Sequence, residues 1–302
     1  MKLGIIGNGF VGNAIYHNFK NDYDLLIYDK EESKANVESI REVCHSSKII
    51  FVAVPTPMLS TGKCDLSIIF NVMAQISYWY NDNIIVLKST VPPGTSEAIM
   101  DIHKDLRIVF SPEFLTEKNS INDFKECNRV VFGGKDDDVE ECISAFSRVF
   151  PDKKYLKTNW KSAEMVKYFI NSFLATKVSF ANEMNQICEA VGIEYSEVKD
   201  LALYDNRIGK SHLMVPGPDG SLGFGGTCFP KDLNCLMYFA VEQGIDPLMI
   251  ASTWMKNTMV REDHDWLSKP GRAVSEEKDI VRGTMNIGTM TAGSFDDSID
   301  RS

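Results

Sequence analysis

The sequence predicts an α/β protein, with a doubly wound parallel sheet at the N-terminus followed by an all-helical domain. Three observations carry this. Six short apolar or β-branched runs recur as far as Gly133, with helical patterns between them and connections too long for hairpins. A glycine-rich turn follows the first run directly. Past Pro151 the strand-like runs stop and a long helical periodicity replaces them.

The six candidate strands are 3–7, 25–29, 49–55, 84–89, 107–111 and 129–133. Several are almost continuously apolar, as expected for strands covered on both faces. A long helix is predicted from Trp160 to about Val191, with Gly192 placed to cap its C-terminus. A shorter helix covers 196–203, and a Gly/Pro-rich loop runs over 215–227. One more helix starts around Pro230, and another covers Pro247 to about Trp266. From Ser268 onward Gly, Ser, Thr and Asp dominate, which predicts a weakly ordered tail. The expected organisation is therefore a sheet domain over 1–155, a helical domain over 156–267 and a tail over 268–302.

Composition excludes several classes. Hydrophobic residues make up 44% and charged residues 25%, the balance of an ordinary soluble globular chain. The net charge of −10, with no basic stripe, argues against a nucleic-acid partner. No apolar run is long enough for a bilayer, and Met1 leads straight into the first strand rather than a signal peptide. Seven cysteines without C-x-x-C spacing argue against a disulfide framework and a metal site, and point to a reducing cytoplasm.

Gly7-Asn8-Gly9-Phe10-Val11-Gly12 is a G-x-G-x-x-G turn between a strand and a helical pattern. Gly7 permits the tight turn, Gly9 lets a pyrophosphate approach the helix N-terminus, and Gly12 lets helix and strand pack closely. Asp29 ends the second strand, placed to accept hydrogen bonds from an adenosine ribose. Together these define a Rossmann dinucleotide site. Asp29 favours NAD, since a 2′-phosphate would face its carboxylate, while neighbouring Lys30 leaves NADP as the alternative.

In the second half, Gly223-Phe224-Gly225-Gly226-Thr227-Cys228-Phe229-Pro230-Lys231-Asp232 is the most informative segment. Pro230 suits a first helical turn, so Cys228 should lie near a helix N-terminus, where the dipole lowers a thiol pKa. Asp232 follows one turn later and could orient a water or a lysine. From spacing alone, Cys228 is either a nucleophile or a small packing residue. Cys44, Cys64, Cys127, Cys142, Cys188 and Cys235 read as small hydrophobes. Lys167 and Asn171 share one helix face, which by residue type alone is a solvated face. Glu113 alone is a strand-end carboxylate.

Several separated motifs resemble the UDP-glucose/GDP-mannose dehydrogenase family. They are the N-terminal glycine turn, Val54-Pro55-Thr56-Pro57, Lys88-Ser89-Thr90-Val91-Pro92-Pro93-Gly94 and Ser111-Pro112-Glu113-Phe114-Leu115. Further on come Ala163-Glu164-Met165-Val166-Lys167-Tyr168 with Asn171, Arg207-Ile208-Gly209, and the segment around Cys228. The resemblance spans residues 1 to about 260. It implies an NAD-dependent oxidation of a sugar-nucleotide C6 alcohol to a carboxylate, with UDP-glucose the expected substrate. Cys228 would be the nucleophile, through a thiohemiacetal and then a thioester. Lys167 and Asn171 would stabilise the oxyanion, Glu113 would be the base for hydrolysis, and Asp232 and Thr90 would position the water. Phe10, Val11, Thr56, Thr90 and Glu117 would line the cofactor. Glu113, Phe114, Leu115, Lys167, Asn171, Phe224 and Gly225 would face the substrate, with Arg207 reaching it across a homodimer interface.

The sequence departs from the family after Leu267, where nothing resembles the third domain that grips the substrate's nucleotide. Three functions fit: a short nucleotide-sugar dehydrogenase, an NAD-binding regulatory homologue without turnover, or a two-domain β-hydroxyacid dehydrogenase performing one oxidation. Cys228 and Glu113 separate the first from the third, because a single oxidation needs no thioester.

Overall fold

The computed structural model describes residues 1–276, so most of the predicted tail lies outside the described residues. The sheet has seven strands in the order β2-β1-β3-β4-β5-β6-β7. They are β1 (Lys2–Ile6), β2 (Asp24–Tyr28), β3 (Ile49–Val52), β4 (Ile84–Leu87), β5 (Arg107–Phe110), β6 (Arg129–Gly133) and β7 (Lys154–Thr158). Helices α1 (Phe10–Phe19), α2 (Ile40–Ser46), α3 (Ser67–Tyr78), α4 (Thr95–Ile102), α5 (Ser120–Glu126) and α6 (Asp136–Val149) cover both faces. On one face Phe19, Phe51, Phe132 and Phe146 interlock, with the Phe19 and Phe146 rings 5.0 Å apart. On the other face Ile6, Val43, Ile76, Leu87 and Phe110 form a second layer. Every residue of β3 and β4 is buried, which is why those runs are continuously apolar.

Two features differ from the sequence expectation. The sheet is not wholly parallel: β5 and β6 pair antiparallel, and β7 then runs parallel to β6. The connection after β5 contains only the short α5, docked on α1 where the Asn18 amide donates to the Ile121 carbonyl at 3.1 Å. That path delivers the chain to β6 from the opposite end of the sheet. The second difference is β7 itself, which extends the sheet domain past 155 to Thr158. Its Lys154-Tyr155-Leu156-Lys157-Thr158 sequence is polar because it is an exposed edge, and its two lysines protect that edge.

The helical part begins with α7 (Trp160–Ala190), a single helix of 31 residues. The Asn159 side chain caps its start by accepting from the Ser162 amide at 2.8 Å. Its end is a Schellman motif: Gly192, at φ +74°, donates to Glu189, and Ile193 donates to Cys188. Glu164 anchors α7 to the sheet domain, accepting from the backbone amides of Gly94 at 2.6 Å and Ser96 at 2.8 Å, at the start of α4. There follow α8 (Tyr195–Ala202), α9 (Cys228–Glu242) and α10 (Leu248–Val260).

Helix α10 ends well before Trp266. Arg261 turns inward beneath the loop and pairs with Asp219 and Asp263 at 2.8 and 2.7 Å. A 3-10 turn over Asp265–Ser268 then folds Trp266 back against Trp254, ring centroids 5.3 Å apart. Residues 268–276, expected to open the tail, form a packed strap. Met58 donates its amide to Ala273 and accepts from Ser275, both at 2.9 Å, and Ala273 is fully buried. This backbone pairing is invisible in a composition of small polar residues.

The glycine turn explains itself sterically. A Cβ on Gly12 would lie 2.0 Å from the Gly7 carbonyl oxygen. Gly12→Ala is therefore expected to cost about 2 kcal/mol and to weaken NAD binding at least ~10-fold, read by urea unfolding and calorimetry. Unchanged affinity would contradict this role for Gly12.

Candidate active site

The site lies at the carboxyl ends of β1 to β5, where α7 and α9 close over the sheet. Gly7 sits at φ +92° and donates its amide to Tyr28 at 2.9 Å, drawing the turn onto the end of β2. The Asp29 carboxylate accepts the Asn8 amide at 2.6 Å and the Glu31 amide at 2.9 Å. A Cβ on Gly9 would meet nothing within 4 Å, so the face over the α1 N-terminus is open. Buried Asn8 Oδ1 has no partner there. An open cradle, an orphaned polar atom and free helix N–H groups at Phe10 and Val11 fit a dinucleotide pyrophosphate. Thr56 lies deeper and donates to the Thr90 carbonyl at 2.7 Å, tying together the loops after β3 and β4.

Around Cys228 the charged groups are coupled. Lys167 and Asn171, which residue type alone placed in solvent, are buried. The Lys167 ammonium donates to Glu113 Oε1 at 2.8 Å and to the Glu113 carbonyl at 2.9 Å. The other Glu113 oxygen accepts the Leu115 amide at 2.7 Å, which fixes the turn holding Phe114 and Leu115. Asn171 donates to Asp232 at 2.5 Å, and Lys231 pairs with the other Asp232 oxygen. Asp232 therefore orients an amide and a lysine in this structure, a wider role than water positioning. Burial pulls the Lys167 ammonium down, but Glu113, Asp232 and Cys228 outweigh it, and its pKa is raised.

Cys228 is the first residue of α9, which starts two residues before the expected Pro230, with its sulfur 3.7 Å from the Thr227 hydroxyl. The expected depression of its pKa is not found. Burial pushes the thiol up, and the opposing charge of Lys167 does not overcome it. Without ligands, alkylation of Cys228 by iodoacetamide should be slow at neutral pH and still rising past about pH 9, because only the thiolate reacts. Lys167→Met should slow it further, since the offsetting cation is lost. A rate that plateaus below about pH 8 would contradict both expectations.

The glycines before Cys228 serve the chain itself. A Cβ on Gly225 would lie 2.2 Å from Asp265 Oδ1, and the Gly226 amide donates to both Asp265 oxygens at 3.1 Å. The Phe224 ring, expected to face the substrate, lies in the core of the helical domain. It is buried against Phe229 and Trp254, and its backbone is held on both sides by Asn257. Arg207 is not brought to this cluster; it is exposed and pairs with Asp205 at 2.5 Å.

Sequence reasoning missed three groups. The Thr227 hydroxyl donates to Glu117, joining the cysteine loop to the chain after β5. Lys231 neutralises Asp232, and its position inside the cysteine motif was the available signal. Arg272, on the strap, places its guanidinium 4.3 Å from the Phe10 ring centre and 4.0 Å from Glu117, at the rim of the cofactor cleft. Nothing in the local sequence marked it. Among the described residues no group of side chains is arranged to hold a metal, and no helix is long and apolar enough to cross a membrane.

A dinucleotide cradle beside a buried Cys-Lys-Glu-Asn-Asp cluster, shared between an α/β sheet and one long helix, defines a two-domain nucleotide-cofactor protein. Residues 29–151 match the NAD-binding domain of the UDP-glucose/GDP-mannose dehydrogenase family, and residues 161–259 match its central domain. A UDP-glucose 6-dehydrogenase of Bacillus subtilis is 38% identical over 68% of this chain and 45% of its own length. One from Rickettsia bellii is 34% identical over 85% of this chain and 67% of its own. The structure of a UDP-glucose dehydrogenase from Pyrobaculum islandicum superimposes with a TM-score of 0.76 at 27% identity, covering 85% of this chain and 68% of that one. The chain belongs to the UDP-glucose/GDP-mannose dehydrogenase family and carries its NAD-binding and central domains. It spans about half to two thirds of the length of these curated relatives.

Proposed function

We propose that this protein is an NAD-dependent nucleotide-sugar dehydrogenase, oxidising UDP-glucose to UDP-glucuronate in two steps through Cys228. The observation that carries this is the buried Lys167–Glu113 pair beside Cys228, which a single alcohol oxidation does not require. NAD, when bound over Gly9, accepts a hydride from the sugar C6 in each oxidation. The hydroxyl proton passes to water as the first hydride leaves C6, giving an aldehyde; the Cys228 thiol likewise gives its proton to water and adds to that aldehyde as the thiolate. The Lys167 ammonium and Asn171 amide hold the oxyanion so formed. Loss of the second hydride gives a thioester on Cys228. Glu113 takes a proton from water, the resulting hydroxide attacks the carbonyl, and the thiolate leaves as the carboxylate is released. The raised pKa of Lys167 keeps it cationic for both oxyanions. Asp232 acts by positioning Asn171 and Lys231.

The test is an NADH assay across UDP- and GDP-sugars. Two NADH per sugar with UDP-glucose supports the reading; one per sugar supports the single-oxidation alternative, and tight NAD binding without turnover supports the regulatory one.

The reading includes a cytoplasmic homodimer. Phe169, Phe173 and Phe180 lie on one face of α7 and are 68%, 58% and 59% exposed, whereas Val178 packs inward. A face this apolar calls for a partner surface, and Arg207, exposed and held only by its neighbour Asp205 among the described residues, would reach a second copy's site. Sedimentation at micromolar concentration should show a dimer, and a monomer there would remove the cross-subunit role of Arg207.

A further inference from the structure

Two buried thiols take no part in the chemistry above, although the fold sets them side by side. Cys64 closes a tight turn after β3, where it bridges across to Met58. The preceding residue, Lys63, lies along α9, with its ammonium 3.1 Å from Glu242 and 5.2 Å from the Tyr238 ring centre. Cys235 sits one turn before Tyr238 on α9. This docking lays the turn that holds Cys64 along the face of α9 that holds Cys235, and both residues border one cavity.

Cys64 and Cys235 are 5% and 1% exposed, lie in the same apolar cluster, and line the same cavity of about 250 Å³. That cavity, walled also by Phe70, Pro92 and Tyr238, is a route for a small reagent. Each thiol acts on the other, pulling Cys64 down and pushing Cys235 up; Lys231 also favours the Cys64 thiolate, against Asp232 and Asp65. Elsewhere, burial alone pushes Cys44 up to about 11, leaving it an inert packing thiol. Cys228 is two helical turns from Cys235, about 10 Å along α9, too far for a disulfide without unwinding the helix.

We propose that Cys64 and Cys235 form a reversible oxidation site that closes to an interdomain disulfide on exposure to a peroxide. The Cys64 thiolate attacks hydrogen peroxide, forms an S–O bond as the O–O bond breaks, and releases hydroxide. The Cys235 thiol then attacks the Cys64 sulfenic sulfur, and the oxygen leaves as water with the Cys235 proton. The two sulfurs lose two electrons and the peroxide gains them. The new bond ties the loop after β3 to the helix that carries Cys228 and Asp232. Since Met58 in that loop also holds the strap, the cross-link fastens three elements around the cofactor cleft.

The test treats the full chain with about one equivalent of hydrogen peroxide, alkylates remaining thiols with iodoacetamide, and maps peptides without reductant. The expected result is a Cys64 peptide joined to a Cys235 peptide, separated again by dithiothreitol. Cys235→Ser should instead leave a Cys64 sulfenic acid that dimedone traps. The oxidised wild type should unfold at a higher temperature than the reduced form, a shift absent in Cys64→Ser. Recovery of both residues as alkylated free thiols after treatment overturns the proposal, as does Cys64 joined to any other cysteine. The wild-type map needs no variant to fold.

Discussion

Cys228→Ser should lose sustained NADH formation by about a thousandfold, close to 4 kcal/mol of transition-state stabilisation. A serine hydroxyl is a poorer nucleophile than a thiolate, and its ester is cleaved less readily than a thioester. The loss should fall on the steps after the first hydride transfer, so a single-turnover experiment should still show some NADH without a sustained second oxidation. The structure makes this substitution close to isosteric, because Cys228 contacts only the Thr227 hydroxyl among hydrogen-bonding groups. NAD affinity and thermal stability should therefore stay near wild type. A variant that continues to release two NADH per sugar at the wild-type rate would remove Cys228 from the mechanism.

Lys167→Ala is expected to damage both folding and chemistry. It leaves the Glu113 carboxylate, whose side chain is 9% exposed, without its cation. Breaking a buried pair from one side costs about 3–5 kcal/mol, and loss of the oxyanion's partner should lower turnover by about a thousandfold. The pH dependence has a definite sign. Because the folded pKa of Lys167 is raised above 10.5, its contribution to stability is complete below that value and is lost only as pH rises through the higher folded one. The destabilisation should therefore be flat across neutral pH. Lys167→Met combined with Glu113→Gln separates the two effects, since removing both charges restores most of the stability. If that double variant regains activity as well, the pair is structural and the proposed oxyanion role is wrong.

The legibility of this protein in its sequence follows the physics of each element. Strands β1, β3, β4 and β5 were readable because burial on both faces demands nearly unbroken apolar runs, as in Ile49-Ile50-Phe51-Val52. Strand β7 was not, because an edge strand carries its lysines toward solvent and has no apolar period to detect. The end of α7 was legible at Gly192, where a positive φ needs a glycine. The end of α10 was not, because it depends on Arg261 finding Asp219, a pairing between distant loops.

Within the site, the glycine turn and Asp29 were legible from spacing. Lys167, Asn171 and Glu113 were legible only by resemblance, since nothing local to α7 says that its Lys167 face is buried. The Cys228 pKa was misread for the same reason: a helix N-terminus is visible in sequence, but the burial that opposes it is a property of the assembled domains. The burial of Phe224 was not legible, because a ring beside glycines looks free, while Asn257 and Trp254 enclose it.

The strap has a practical bearing on how the protein can be handled. Ser275 is held at the loop after β3, its amide bonded to Met58 and its hydroxyl 2.9 Å from Asp65. A fluorescent label attached at Ser275 or Arg272 would therefore sit beside the cofactor cleft, near Phe10. Met1 precedes β1 at the opposite end of the sheet, away from the carboxyl ends of the strands. Purification handles and fluorescent labels belong at that end, where they leave the mouth of the cleft unencumbered.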